Sequence, residues 1–180
     1  MKTYLKTTTI VLVILLLCFM GYKVVNKIQQ KTKVIETLKT IPRFSFETLD
    51  NETFTKSDLV LNRTTVFIYF NTECNYCQNE AISIKQSIDE FKNTQLIFVS
   101  SETKETIKTF SEFYKLNTYD YVNFLFDSQD DFSSRFDATS IPYVLIYDEN
   151  QALVKRHKGQ LKAEVILKTL KSNSINLSNY

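Results

Sequence analysis

The tetrapeptide Cys74-Asn75-Tyr76-Cys77 constrains this chain more than any other feature. It follows the apolar run Val66-Phe67-Ile68-Tyr69-Phe70 and precedes a helix-like pattern. Two cysteines at this spacing, where a strand passes into a helix, form and break a reversible disulfide. The third cysteine, Cys18, lies in an apolar segment near the N-terminus, so the pair does not belong to a structural disulfide framework. A lone Cys-x-x-Cys after a strand reads as a redox site.

The flanking pattern alternates between strand and helix. From Pro42 onward it predicts a short strand at 44–46, a helical turn at 55–61 and a buried strand at 65–70. A helix follows over 75–92, with Cys77, Ala81, Ile84, Ile88 and Phe91 on one face. Next come a strand at 95–100, a helix at 104–116 with Ile107, Phe110, Phe113 and Tyr114 inward, and a strand at 122–126. A short helix at 129–136, a hairpin of 143–147 with 152–156 and a closing helix at 161–170 complete the chain. Such alternation implies an α/β sheet covered on both faces.

At 180 residues, 43% hydrophobic and 13% aromatic, the chain is long and apolar enough for one domain plus an appendage. Its net charge of +2 and scattered lysines give no basic cluster interleaved with aromatics, so nucleic acid is not an expected partner. Two glycines and two prolines fit long regular elements rather than disorder.

The appendage is N-terminal. Residues 10–22 are apolar except Gly21, with Lys2 and Lys6 before them, and Thr7–Thr9 extend the run. At about 16–19 residues it is at the short end for a membrane helix. Leu17-Cys18-Phe19-Met20-Gly21 is a poor cleavage site, which favours an uncleaved signal anchor over 1–22. Residues 23–40 then read as a lysine-rich helical stalk, and 41–180 as the folded domain. Lys23, Lys27, Lys31 and Lys33, taken literally, argue for a cytoplasmic domain.

The chemistry follows from placement. A free cysteine titrates at about 8.5, and a helix N-terminus lowers that value. Cys74 at such a terminus would attack a substrate disulfide, and Cys77, one turn on, would release the mixed disulfide. Zinc binding is a poor alternative, because the only histidine, His157, leaves a tetrahedral shell incomplete. Pro142 opens the strand at 143–147, and a cis Ile141-Pro142 bond there would shape a groove opposite the cysteines. It would leave the Ile141 backbone free to pair with an extended substrate.

The stretch 66–80, Val-Phe-Ile-Tyr-Phe-Asn-Thr-Glu-Cys-Asn-Tyr-Cys-Gln-Asn-Glu, resembles the active-site segment of the thioredoxin-like superfamily, most closely its TlpA/ResA-like membrane-anchored thiol-disulfide oxidoreductases. Further matches are 44–50, Phe126-Asp127, the Ile141-Pro142 strand and Gly159, together covering about residues 42–172. The resemblance implies a thioredoxin-like fold, a central mixed sheet flanked by helices, behind an N-terminal transmembrane helix. It implies an extracytoplasmic domain at a bacterial inner membrane and reduction of protein disulfides by Cys74 with Cys77 resolving. Ile141 and Pro142 would bind substrate, and Glu80 matches a glutamate that handles protons near the thiols. No cofactor is implied. A membrane electron donor would keep the pair reduced, and apocytochrome c is a candidate substrate.

Three departures stand out. Glu73 replaces a tryptophan common before the first cysteine, Ile68 replaces a buried acid of thioredoxin itself, and Asn75-Tyr76 sits between the cysteines. Rival readings are a peroxiredoxin-like antioxidant, a metal- or haem-handling module using Cys74, Cys77 and His157, and a purely structural domain. The peroxiredoxin loop needs a Pro and a Thr where this chain has Phe67 and Asn71.

Overall fold

The computed structural model of the protein describes residues 16, 18–23 and 36–177. Two compact units are distinguished, one up to Thr37 and one from Leu38 onward. In the first, residues 18–23 are helical, and Phe19, Met20 and Tyr22 are exposed. Among the described residues no helix is long and apolar enough to cross a membrane. Most of the expected anchor and stalk falls outside the described residues. The second unit takes in Leu38, Lys39 and Thr40, placed by the sequence reading in the stalk. Leu38 is buried, the Lys39 carbonyl accepts the Leu153 N–H, and Thr40 bridges Ala152.

Seven strands form one sheet: β1 (Ser45–Thr48), β2 (Thr53–Thr55), β3 (Thr64–Tyr69), β4 (Thr94–Ser100), β5 (Val122–Phe126), β6 (Tyr143–Tyr147) and β7 (Leu153–Lys158). Their order is β2-β1-β5-β4-β3-β6-β7. β3, β4 and β5 run parallel, while β6 lies antiparallel to β3, β7 to β6, β1 to β5 and β2 to β1. The helices are α1 (Asn75–Gln86), α2 (Lys104–Phe113), α3 (Asp131–Arg135) and α4 (Ala163–Leu177). This is the thioredoxin-like α/β arrangement expected.

β3 forms because Thr-Thr-Val-Phe-Ile-Tyr is β-branched and aromatic throughout, and it is buried on both faces, as a central strand must be. Alternation divides its side chains. Val66 and Ile68 join one core with Cys77, Ala81 and Ile84 of α1, Ile107 and Phe110 of α2, and Ile166 and Leu167 of α4. Phe67 and Tyr69 point the other way, into an aromatic layer. There the Phe67 ring meets Phe44, Phe132, Phe136 and Tyr147, at centroid distances of 5.6, 6.2, 5.2 and 6.0 Å.

Two departures from the sequence reading bear on the core. The helix expected over 75–92 stops at Gln86, and Ile88–Phe91 is a 3-10 turn. The Ser87 N–H bonds Ile84 three residues back, tightening the last turn, while Ile88 and Phe91 stay buried. Phe113, expected inward, is 77% exposed. It lies about 120° round the helix from Ile107. Leu116 takes the buried place instead, its N–H bonded to the Ser111 carbonyl.

Candidate active site

The parallel direction of β3 and β4 puts their C-terminal ends on one rim of the sheet. Antiparallel β6 begins at that same rim, because Tyr69 pairs with Tyr143. Three connections meet there: residues 70–74 after β3, residues 101–103 after β4, and Ile141-Pro142 before β6. The carboxyl ends of sheet strands are where α/β folds place their ligand sites.

Cys74 is the N-cap of α1, extended at φ −76°, ψ 113°, and its carbonyl accepts the Gln78 N–H at 3.0 Å. Its side chain is half-buried, next to the unpaired N–H groups of the first turn. The Ile141-Pro142 peptide bond is cis. Cys74 Sγ lies 4.0 Å from the Ile141 carbonyl oxygen. Ile141 remains 41% exposed, and Tyr76, between the cysteines, is 65% exposed, so an apolar rim flanks the sulfur. Beyond it, Gly159 at φ +89° donates its N–H to the Pro142 carbonyl at 2.8 Å. That left-handed conformation favours glycine.

Cys77 lies one turn deeper and is 2% exposed. Burial pushes its thiol well above the ordinary range, with smaller upward contributions from Cys74 and Glu80, against the Asn71 backbone N–H, which favours the thiolate. Both cysteines are free thiols.

Glu80 is not a solvated helix carboxylate: it is fully buried. Burial pushes its carboxyl up to about 8, although the Leu161 N–H pulls the other way. That N–H reaches Oε1 at 3.1 Å, and Oε2 has no partner. A buried acid with one unsatisfied oxygen beside a buried thiol is costly to keep, and such arrangements concentrate at functional sites.

The structure thus brings together Cys74, Cys77, Ile141, Pro142 and Glu80. It leaves His157 on β7, the ring Nε2 3.2 Å from the Gln160 carbonyl. Among the described residues no group of three His, Cys, Asp or Glu side chains is placed to hold a metal.

Sequence reasoning passed over the residues that hold the loop before Cys74. The Asn71 carbonyl accepts the Cys74 N–H at 3.3 Å, and Asn71 Oδ1 accepts the Glu73 N–H at 3.0 Å. Thr72 is bonded by Glu102 and by Gln78. Glu102 stands 30 positions away in sequence and carries no local motif. Its place two residues past the end of β4 was the available signal, since parallel β3 and β4 bring those ends together.

Fold and site together define a thioredoxin-like thiol-disulfide oxidoreductase. The AhpC/TSA family model matches residues 38–170, and the chain belongs to that family. No curated protein matches the chain in sequence. Solved structures share the fold at low identity. DsbF of Mycobacterium tuberculosis is 20% identical, with a TM-score of 0.63 over 76% of this chain and 96% of DsbF. A secreted M. tuberculosis disulfide oxidoreductase homologous to Escherichia coli DsbE is 17% identical, with a TM-score of 0.61 over 76% of this chain and 98% of that one. The peroxidoxin BcpB of M. tuberculosis is 15% identical, with a TM-score of 0.63 over 74% of this chain and 94% of that one.

Proposed function

We propose that the protein is a membrane-tethered reductase of protein disulfides, working outside the cytoplasm of a bacterium through Cys74 and Cys77. One observation carries the reading: a half-buried sulfur at a helix N-cap, 4.0 Å from the Ile141 carbonyl, with a buried second thiol one turn behind it. The Cys74 thiolate attacks one sulfur of a substrate disulfide. That S–S bond breaks, a Cys74–substrate disulfide forms, and the first substrate thiolate leaves. Cys77 then attacks the Cys74 sulfur, the second substrate thiol leaves, and the two electrons have passed from the cysteine pair to the substrate. Ile141 and Pro142 line the groove in which the extended substrate lies.

Cys77 must lose its proton to act, and burial opposes that. Glu80 is the proton relay in this reading, accepting the Cys77 proton in the fraction of molecules in which it is ionised. A carboxyl held at about 8 is matched to proton transfer near neutral pH, and its free Oε2 faces no competing donor. A membrane electron donor re-reduces the pair, and apocytochrome c is a substrate that the TlpA/ResA resemblance favours. The tether is the apolar run at 10–22. Support for an extracytoplasmic site comes from that run and from the secreted relative.

A peroxidase reading draws on the likeness to BcpB. Phe67, at the place of the proline such a loop needs, is instead fixed inside the aromatic layer.

The deciding measurement is the reduction potential of the Cys74–Cys77 pair, by equilibration with glutathione. A value near about −270 mV supports a reductase, and one near about −120 mV would make the protein an oxidant and sink this reading.

A further inference from the structure

We propose that Glu102 is a positioning residue: its carboxylate clamps Thr72 and thereby holds the loop that sets Cys74 against Cys77. The inference rests on Cys74 and Cys77 being the exchanging pair.

Four residues, 70–73, separate the last residue of β3 from the nucleophile, and they carry no ladder bonds beyond the Phe70 N–H to Val99. Something else must fix them. Thr72, at the middle, is held at three atoms. Its N–H donates to Glu102 Oε2 at 2.7 Å, and its hydroxyl donates to Oε1 at 3.0 Å. Its carbonyl accepts from Gln78 Nε2 at 2.8 Å. The first two bonds end on a carboxylate and are the stronger kind. Glu102 is itself fixed. Buried Ser100, the last residue of β4, accepts the Glu102 N–H and donates to Oε2, both at 3.3 Å. Gln78 belongs to α1, one residue beyond Cys77. The clamp therefore runs from the core strand β4, through Glu102 and Thr72, to the helix that carries the second thiol.

Asn71 precedes Thr72 and is tied to both cysteines. Its carbonyl holds the Cys74 N–H, and its backbone favours the Cys77 thiolate. With Thr72 fixed, both contacts keep their places. With Thr72 released, four residues can turn, and the two sulfurs lose their mutual alignment. Exchange between thiols held one helical turn apart depends on that alignment, as any intramolecular reaction does.

The test uses closure of the disulfide by oxidised glutathione. The reduced pair gives two electrons and two protons; the products are the Cys74–Cys77 disulfide and two molecules of reduced glutathione. The equilibrium constant measures how well the sulfurs are placed. Glu102→Ala removes both bonds and lowers the constant about tenfold, equal to about 30 mV. Glu102→Gln keeps both, its Oε1 accepting the Thr72 N–H and its Nε2 donating to the hydroxyl, and stays within about twofold of wild type. Thr72→Val removes only the hydroxyl bond, falls between them, and serves if Glu102→Ala does not fold. An unchanged constant in Glu102→Ala, or in Thr72→Val, overturns the clamp. So does an equal loss in Glu102→Ala and Glu102→Gln, which would assign the effect to charge. Failure of the wild type to close its disulfide would refute the underlying pair rather than the clamp.

Discussion

Replacing Glu80 by Gln should remove a large part of the protein's pH dependence of stability. Glu80 is buried, its carboxyl lies at about 8 in the folded chain, and the ordinary value is 4.5. Below pH 4.5 both folded and unfolded chains hold the proton, and nothing is lost. Between 4.5 and about 8 the unfolded chain releases it while the folded chain keeps it, so stability falls as pH rises. Above about 8 both forms are ionised and the loss is complete. At about 1.36 kcal/mol for each pKa unit, the loss across the window reaches about 5 kcal/mol, to order of magnitude. That is comparable with the whole stability of many domains. Gln keeps an oxygen for the Leu161 N–H and has no proton to lose. Urea unfolding of both proteins at pH 5, 6.5, 8 and 9 tests the point. The wild type should weaken relative to Glu80→Gln as pH rises, with the gap levelling off above pH 8. The Cys77 thiol, raised chiefly by burial, acts in the same direction in both proteins, and that burial-driven part cancels in the comparison. Stability curves that stay parallel for the two proteins would refute a buried, protonated Glu80.

Other perturbations probe separate parts of the molecule. Cys74→Ser should abolish insulin reduction, while Cys77→Ser should accumulate a protein–substrate disulfide visible by mass spectrometry under non-reducing conditions; full activity in Cys74→Ser would refute the mechanism. Phe67→Ala removes a fully buried ring from the aromatic layer and should cost about 3–5 kcal/mol in urea unfolding. A loss below about 1 kcal/mol would mean the layer is not packed as described. Thr103 is the N-cap of α2, its side chain accepting the Thr106 N–H, and Thr103→Ala should cost about 1 kcal/mol, read as a lowered midpoint at unchanged slope.

The legibility of this fold in its sequence followed the strength of local pattern. β5 and β6 begin and end as expected, because both are buried stretches closed by an aspartate, Asp127 and Asp148, and Pro142 opens β6. β2 was invisible: three residues, Thr-Phe-Thr, half-exposed, strand only because β1 pairs with them. The break after Gln86 was hidden by periodicity, since Ile84, Ile88 and Phe91 stay on the buried side through a tighter turn. At the site, the cysteines and Pro142 are readable because each is rare and punctuates an element. Glu80 was readable as a position but not as a state. Its carboxyl is met by the Leu161 N–H, 81 residues away. Asn71, Thr72, Gln78 and Glu102 are ordinary polar residues, and only the parallel pairing of β3 and β4 gives their spacing meaning.

The outer strand β7 has a consequence for how these molecules meet one another. It lies at an edge of the sheet, met at its start by Lys39, and reads Leu-Val-Lys-Arg-His-Lys. Were two copies to join edge to edge about a two-fold axis at the strand's centre, Lys155 of each would stand opposite Arg156 of the other. Like charges facing across a strand pair repel, and lysine-rich edges discourage sheet-to-sheet growth. A chain with so aromatic an interior therefore carries, along one outer strand, its own guard against amyloid-like stacking.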